Sequence, residues 1–317
     1  MLLFGSNITP RFHEFSLDDI SLMNSYKGEE STAIPIPILV LISLGIPIII
    51  IVSLSAFRKS LSLQRRLWDI FCGLLSLCGS QVTQLTITIL LKNICGLPRP
   101  DLISRCLPSV SVLPFGQLAT IEICTNDDLP LLMDGFRSFP SGHSSTVFCA
   151  MVLVSLNICG KLQVFDRRGI SSHVILVILP LLLACFVACT RISDNRHFLR
   201  DVIGGSIIGS TVAIFFYYQY FPSIFNLENC GRAYPPRRYG LATLYNNVEG
   251  FWNLEERTSG SFQRRNLNSI ESLRKLIEAT NIHISPQDLV STGLSENIDL
   301  LNRLSQELNG RYINLDE

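Results

Sequence analysis

Five long apolar runs, separated by polar stretches, dominate the chain. Runs of roughly 20 apolar residues have the length that a helix needs to cross a bilayer. Hydrophobic residues make up 47% of the chain and charged residues only 16%, a composition typical of membrane proteins. The pattern therefore predicts an all-α, polytopic membrane helix bundle with five spans: Ile36–Phe57, Leu67–Leu91, Ser144–Gly160, His173–Thr190 and Val202–Phe221.

The polar stretches predict an N-terminal segment over 1–35, a membrane core over 36–221 and a polar tail over 222–317. Cations in short loops indicate the cytosolic side. They cluster in FRKSLSLQRR, in KLQVFDRRG and at the start of the tail, and alternation of the spans places all three on one side. The tail is expected to be cytosolic and partly disordered, with amphipathic helices in SIESLRKLIEA and ENIDLLNRLSQEL.

Three polar islands then share the opposite, extracytosolic side, each at the end of a span. They are KNICGLPRP (92–100), SFPSGHSS (138–145) and TRISDNRHFLRD (190–201). Taken singly, each has an ordinary explanation: a snorkelling lysine, a helix cap, or a charged connector. Their shared side and shared depth indicate a common site.

The side chains of these islands suit a phosphate. Cations and the amides of a helix N-terminus stabilise phosphoryl oxygens, while a histidine held by a carboxylate can act as a nucleophile. We see no acidic cluster that would hold Mg²⁺, and we expect no metal or other cofactor, so that side-chain cations would carry the charge. The candidate catalytic residues are His197, Asp201 and His143, and the candidate phosphate-binding residues are Lys92, Arg99, Ser141, Gly142 and Arg191.

In this order and spacing, the motifs resemble the type 2 phosphatidic acid phosphatase (lipid phosphate phosphatase) superfamily, and most closely its fungal diacylglycerol pyrophosphate phosphatase-like members. The family pattern is Lys-x6-Arg-Pro, then Pro-Ser-Gly-His, then Ser-Arg-x5-His-x3-Asp. This chain carries Lys92 to Arg99-Pro100, then 140–143, then Thr190-Arg191 to His197 and Asp201. Thr190 replaces the family serine and keeps its hydroxyl.

The resemblance covers roughly residues 10–221 and implies a mechanism for that region. His197 would attack phosphorus and form a phosphohistidine, with Asp201 holding the imidazole. His143 would protonate the leaving oxygen and then assist water in hydrolysing the intermediate. Asp194, Arg196 and Arg200 could support the site or be solvated interface charges, and for Arg200 we favour the latter.

The family core has six membrane helices, and five are visible here, so that the first helix is expected to be missing. The resemblance implies Mg²⁺-independent hydrolysis of membrane lipid phosphates: phosphatidate, lysophosphatidate or diacylglycerol pyrophosphate. A sphingoid-base phosphate or a polyprenyl diphosphate is an alternative substrate, and a non-catalytic lipid-binding scaffold is an alternative function. We expect a multi-pass protein of the vacuole, endoplasmic reticulum or Golgi membrane, with its site on the lumenal face and no nucleic-acid partner.

Three features outside the motifs carry structural predictions. Cys95, Cys106 and Cys124 share the extracytosolic loop, where an oxidising lumen could pair two of them, and we expect Cys106 with Cys124. Gln81 and Gln84 lie three apart within a span and are expected to hold helices together. Gly204, Gly205 and Gly209 of the last span should allow close helix packing.

Overall fold

Five membrane-length helices form the chain's core, as the apolar pattern predicts. The computed structural model describes residues 8–57, 63–110, 113–114, 116–166, 169–225 and 230–234. Within that part, helices long and apolar enough to cross a membrane are α1 (Ile36–Ala56), α2 (Leu63–Cys95), α5 (Gly142–Leu162), α6 (Ser171–Ser193) and α7 (Leu199–Tyr220). Two shorter helices, α3 (Leu102–Cys106) and α4 (Leu129–Gly135), lie in the long loop between α2 and α5.

The predicted spans are confirmed in number, and their ends are extended by polar residues that hydropathy leaves out. Helix α2 continues to Cys95 and so includes Lys92, and α5 begins at Gly142 and so includes His143. Helix α1 contains one turn of π-helix over Leu41–Gly45. The helices proposed for the tail after residue 234 lie outside the described residues.

Helix α5 is the central element of the bundle. It packs against α2, α6 and α7, and its side chains are buried along most of its length, whereas the other four spans each expose an apolar face. Those exposed isoleucine, leucine and phenylalanine side chains are suited to contact with lipid. Residues at the N-terminal end of α5 are therefore held by three neighbouring helices.

Small residues allow α7 to lie directly against α5. A side chain at Gly205 would meet the carbonyl oxygen of Ser141, and one at Gly209 would meet the carbonyl oxygen of Ser145 and the backbone nitrogen of Cys149. The predicted role of these two glycines in close packing is confirmed. At the top of this contact the amide of Ser141 donates to the carbonyl of Asp201, which ties the second motif to the third.

The two glutamines of α2 tie it to α5, as predicted. Gln81 Nε2 donates to the carbonyl of Thr146, and Gln84 Nε2 donates both to Gln81 Oε1 and to Thr146 Oγ1. Thr88, one turn further along α2, donates to Ser145 Oγ. These buried polar contacts fix the register of the helix that carries Lys92.

At the opposite end of the bundle, a buried carboxylate fastens the chain that follows α7. Asp69 Oδ1 accepts from the amide of Ala233, and Asp69 Oδ2 lies 3.6 Å from Lys161 Nζ. Arg65 donates to the carbonyl of Ala233 at 2.6 Å. Residues 230–234 therefore pack on the ends of α2 and α5, although the sequence assigns them to the polar tail.

The long loop between α2 and α5 and the N-terminal segment share a second apolar core. Phe15, Leu17 and Leu22 of the N-terminal segment are buried with Leu102 and Phe136 of the loop. Cys106 and Cys124 form a disulfide within it, which confirms the expected pairing. The N-terminal segment is thus built into the structure above the membrane core.

Replacing Gly209 with valine should separate α7 from α5, because the added side chain would overlap with backbone atoms that cannot move aside. Overpacking of this kind costs about 1–3 kcal/mol. We expect a lower midpoint of thermal unfolding in detergent, and lower activity because the two motifs move apart. The control is Ile207→Ala, on the exposed face of the same helix, which should change the midpoint little. An unchanged midpoint in Gly209→Val would contradict this account of the packing.

Candidate active site

A small cavity lies where the helix ends that carry the three motifs meet the loops. Its volume is about 190 Å³, below the roughly 300–1,000 Å³ of pockets that enclose drug-sized ligands. The cavity therefore suits a headgroup, and a lipid's chains would remain outside it. Six of the eight candidate site residues line it: Lys92, Arg99, Gly142, His143, Arg191 and His197.

The other two candidates, Ser141 and Asp201, stand behind the cavity wall. Ser141 is fully buried and is the N-cap of α5, with its hydroxyl accepting from the amide and the hydroxyl of Ser144. Asp201 is fully buried in the first turn of α7. In this arrangement both residues support cavity-lining neighbours.

The first two motifs meet at Lys92. A side chain added at Gly142 would make van der Waals contact with Lys92 Cε, at 3.7 Å, so the lysine lies beside the N-terminal end of α5. Lys92 Nζ donates to the carbonyl of Arg137 at 2.6 Å. A helix N-terminus and an ammonium group together favour an anion at this wall.

Arg191 is held by the acidic residue three positions further along. Its Nη2 donates to Asp194 Oδ2 at 2.7 Å, and its Nη1 lies 3.5 Å from His143 Nε2. Arg191 Nε is buried and has no hydrogen-bond partner among the described residues. The guanidinium is therefore fixed in orientation and keeps a donor to offer to a ligand.

His197 lies just before α7 rather than on it. The helix begins at Leu199, after the N-cap Phe198, so His197 and Asp201 do not share a helix face. Asp201 Oδ2 accepts from the amide of Phe198 at 3.0 Å and from the hydroxyl of Ser138. His197 Nδ1 lies 4.0 Å from the same oxygen, longer than a hydrogen bond, so the carboxylate acts on the ring through its charge.

Burial lowers the pKa of His197 well below 6.5, and the positive charges of Arg99 and Lys92 lower it further. The imidazole is therefore neutral at neutral pH, the form in which a ring nitrogen can act as a nucleophile. Since Nδ1 is the nitrogen nearer to Asp201, Nε2 is the nitrogen left for a ligand.

Asp134 is a cavity residue that the sequence did not single out. Its Oδ1 accepts from Arg99 Nη2 at 2.7 Å and its Oδ2 from Arg105 Nη1 at 2.9 Å. Burial raises the pKa of Asp134, but the charges of Arg99 and Arg105 lower it more, so that the pKa falls to about 2. Asp134 is thus an ionised partner for the arginine of the first motif. It lies in the short helix α4, outside the three motifs, and no local signal in the sequence could have found it.

The N-terminal segment covers one side of the cavity. We call residues 24–36 the strap, and Thr32, Ile34, Pro35 and Ile36 of the strap line the cavity. The amide of Ala33 donates to Asp194 Oδ2 at 3.0 Å, and the carbonyl of Ile34 lies 3.3 Å from His143 Nε2. The strap therefore contacts the surroundings of both Arg191 and His143.

Arg196 and Arg200 flank His197 and have opposite surroundings. Arg196 lines the cavity and its side chain is 7% exposed, whereas the side chain of Arg200 is 62% exposed and stacks on the ring of Phe198. The sequence left the position of Arg196 open. For Arg200, the exposed position agrees with the expectation of an interface charge.

Comparisons with known proteins identify a family and relatives that this chain is similar to. A model described as the PAP2 superfamily matches residues 73–225. Lipid phosphate phosphatase 2 of Arabidopsis thaliana is 34% identical over 71% of this chain and 74% of its own length. The probable diacylglycerol pyrophosphate phosphatase 1 of Schizosaccharomyces pombe is 30% identical over 70% and 77%, and diacylglycerol pyrophosphate phosphatase 1 of Saccharomyces cerevisiae is 33% identical over 68% and 73%. No solved structure matches the chain significantly.

The lowered pKa of His197 makes a prediction about stability in acid. Below about pH 6.5 the unfolded chain binds a proton at this histidine and the folded chain does not, so stability falls as the pH drops. Between pH 7 and pH 5.5 this amounts to roughly 1 kcal/mol, or about 2–4 °C in the unfolding midpoint. Over the same pH interval we expect the stability of His197→Gln to fall by that amount less than the stability of the native chain. Equal losses in the two proteins would show that His197 is not held neutral.

Proposed function

The chain belongs to the PAP2 superfamily, and on that basis we propose that it hydrolyses phosphate monoesters and pyrophosphates of membrane lipids through a phosphohistidine on His197. It is a lipid phosphate phosphatase, like the relatives that it resembles. The observation that carries the proposed mechanism is the convergence of three distant motifs on one headgroup-sized cavity.

In the proposed first step, Nε2 of neutral His197 attacks phosphorus, and the bond from phosphorus to the leaving oxygen breaks. Asp201 attracts the proton on Nδ1 and stabilises the positive charge that develops on the ring. Lys92, Arg99 and Arg191 balance the charge on the phosphoryl oxygens.

His143 is the proposed general acid, since it lies across the cavity on the first turn of α5. We propose that His143 takes up a proton when the phosphate anion binds beside it, and that it gives this proton to the leaving oxygen, so that phosphatidate would release diacylglycerol. In the second step the now neutral His143 accepts a proton from water, whose oxygen attacks phosphorus and frees His197 and phosphate. Side chains supply the positive charge throughout, so the reaction is expected to proceed in the presence of a chelator.

The position of the cavity supports a lipid substrate. It lies at the ends of membrane-length helices, so a headgroup can enter while the acyl chains stay in the bilayer. Phosphatidate, lysophosphatidate and diacylglycerol pyrophosphate are the proposed substrates. A panel that also contains a sphingoid-base phosphate and a polyprenyl diphosphate would separate them from the alternatives.

The proposed orientation places the cavity in an organellar lumen. The disulfide of Cys106 with Cys124 lies on the same side as the cavity, and disulfides persist in oxidising compartments.

The mechanism predicts that His197→Ala abolishes phosphate release from phosphatidate in detergent micelles that contain EDTA. Loss of a nucleophile removes the whole covalent route, so a decrease of at least about a thousand-fold is expected. Phe198→Leu, next to it in the chain, is the control and should keep substantial activity. Turnover that survives in His197→Ala, or native turnover that stops with EDTA, would contradict the mechanism. A folded native chain that releases no phosphate from any lipid would favour a scaffold.

Orientation is tested with a membrane-impermeant maleimide on sealed and on opened vesicles. Cys106 and Cys124 should react only after the vesicles have been opened and reductant has been added, because the disulfide and the membrane both protect them. Labelling of either cysteine in sealed vesicles treated with a membrane-impermeant reductant would contradict the lumenal placement.

A further inference from the structure

We propose that Arg196 is a further phosphate-binding residue and that Tyr26 of the strap positions it. This inference rests on the proposed function, because it adds a ligand for the same phosphate.

Arg196 is a nearly buried cavity residue that has an unpartnered donor. Its side chain lines the cavity together with His197, the next residue in the chain. The N-cap of α7 follows directly after His197. Arg196 Nε is buried and has no hydrogen-bond partner among the described residues. A buried guanidinium donor without an acceptor is costly, and a phosphoryl oxygen is the acceptor that it fits best.

One hydrogen bond and one ion pair orient the rest of the Arg196 guanidinium. Its Nη2 donates to the carbonyl of Lys27 at 2.6 Å, and its Nη1 lies 3.9 Å from Asp134 Oδ2. The strap carbonyl and the Asp134 carboxylate therefore hold one edge of the guanidinium.

Tyr26 supports the same guanidinium from its flat side. The Arg196 guanidinium carbon lies 5.0 Å from the centre of the Tyr26 ring, and that of Arg105 lies 4.6 Å from it, both within the range of cation–π contacts. The amide of Tyr26 donates to Ser104 Oγ at 3.2 Å, which fixes the strap to the loop. Tyr26 is thus a positioning residue that acts through Arg196.

The distribution of charge around the cavity favours a further cation as a ligand of the phosphate. Arg191 and Arg99 each donate to a carboxylate, Asp194 and Asp134, and so share their charge. Arg196 makes its shortest described contact with a neutral carbonyl, while the nearest carboxylate oxygen is 3.9 Å away. More of its charge is therefore available to a ligand than that of the two motif arginines.

The test measures inorganic phosphate in two ways: as a competitive inhibitor of phosphatidate turnover, and as a ligand that raises the unfolding midpoint of the purified protein. Arg196→Gln should weaken phosphate by about ten-fold or more in both measurements, because a charge-assisted hydrogen bond is lost. Arg200→Gln is the matched control, since it removes an equal charge that is exposed, and it should change phosphate affinity by less than about two-fold.

Substitutions of Tyr26 give an independent test of the same proposal. Tyr26→Leu should weaken phosphate by about three-fold, and Tyr26→Phe, which keeps the ring face, should bind it as the native chain does. A structural role alone would lower the unfolding midpoint in Tyr26→Leu without changing phosphate affinity.

Phosphate affinity within two-fold of native in folded Arg196→Gln would overturn the proposal. If Arg196→Gln does not fold, Arg196→Lys takes its place: it keeps the charge and loses the planar donors, so weaker phosphate binding supports the proposal and native binding overturns it. The two hypotheses fail separately. A native chain that binds phosphate without hydrolysing lipids would contradict the proposed function. The phosphate affinities of Arg196→Gln and the native chain could still be compared through the unfolding midpoint.

Discussion

Buried cations need oxygen acceptors, and this requirement organises the end of the molecule that holds the cavity. The protein supplies such oxygens itself: Asp134 to Arg99, Asp194 to Arg191, and backbone carbonyls of residues 137 and 27 to Lys92 and Arg196. These acceptors come from three segments: the loop before α5, the C-terminal end of α6 and the strap. The loop and the strap are therefore held in place largely by the same groups that are proposed to bind the substrate, and an arriving phosphate adds to this set of contacts.

The helices beneath make this concentration of charge possible. Gly205 and Gly209 let α7 approach α5 until backbone atoms touch, and the glutamines of α2 fix its register against α5. Three helix ends are thereby placed within the width of one small cavity. The apolar faces that remain on α1, α2, α6 and α7 are suited to lipid, so the polar interior is separated from the hydrocarbon region by a single layer of helices.

The sequence predicted what periodicity and spacing encode. The five spans, the gathering of six motif residues and the disulfide of Cys106 with Cys124 follow from hydropathy, alternation of sides and motif order. The role of Asp134 and the strap could not be predicted in this way, since their contacts join segments far apart in the chain and leave no local pattern. The predicted start of the last span, Val202, is three residues too late. Helix α7 begins at Leu199, because Asp201 accepts from the amide of the N-cap Phe198 and so extends the helix beyond the apolar run. The relatives show that the chain belongs to the family that its motifs resemble.

The strap precedes the first span, yet it closes a site whose other walls are synthesised much later. Tyr26, Lys27 and Ile34 can meet Arg196 and His143 only after the first segment and both later loops have reached the same side of the membrane. Completion of membrane insertion is consequently the event that assembles the cavity. A chain caught part-way through biogenesis, with its N-terminal segment on the wrong side, would carry every motif residue and still lack a finished binding site.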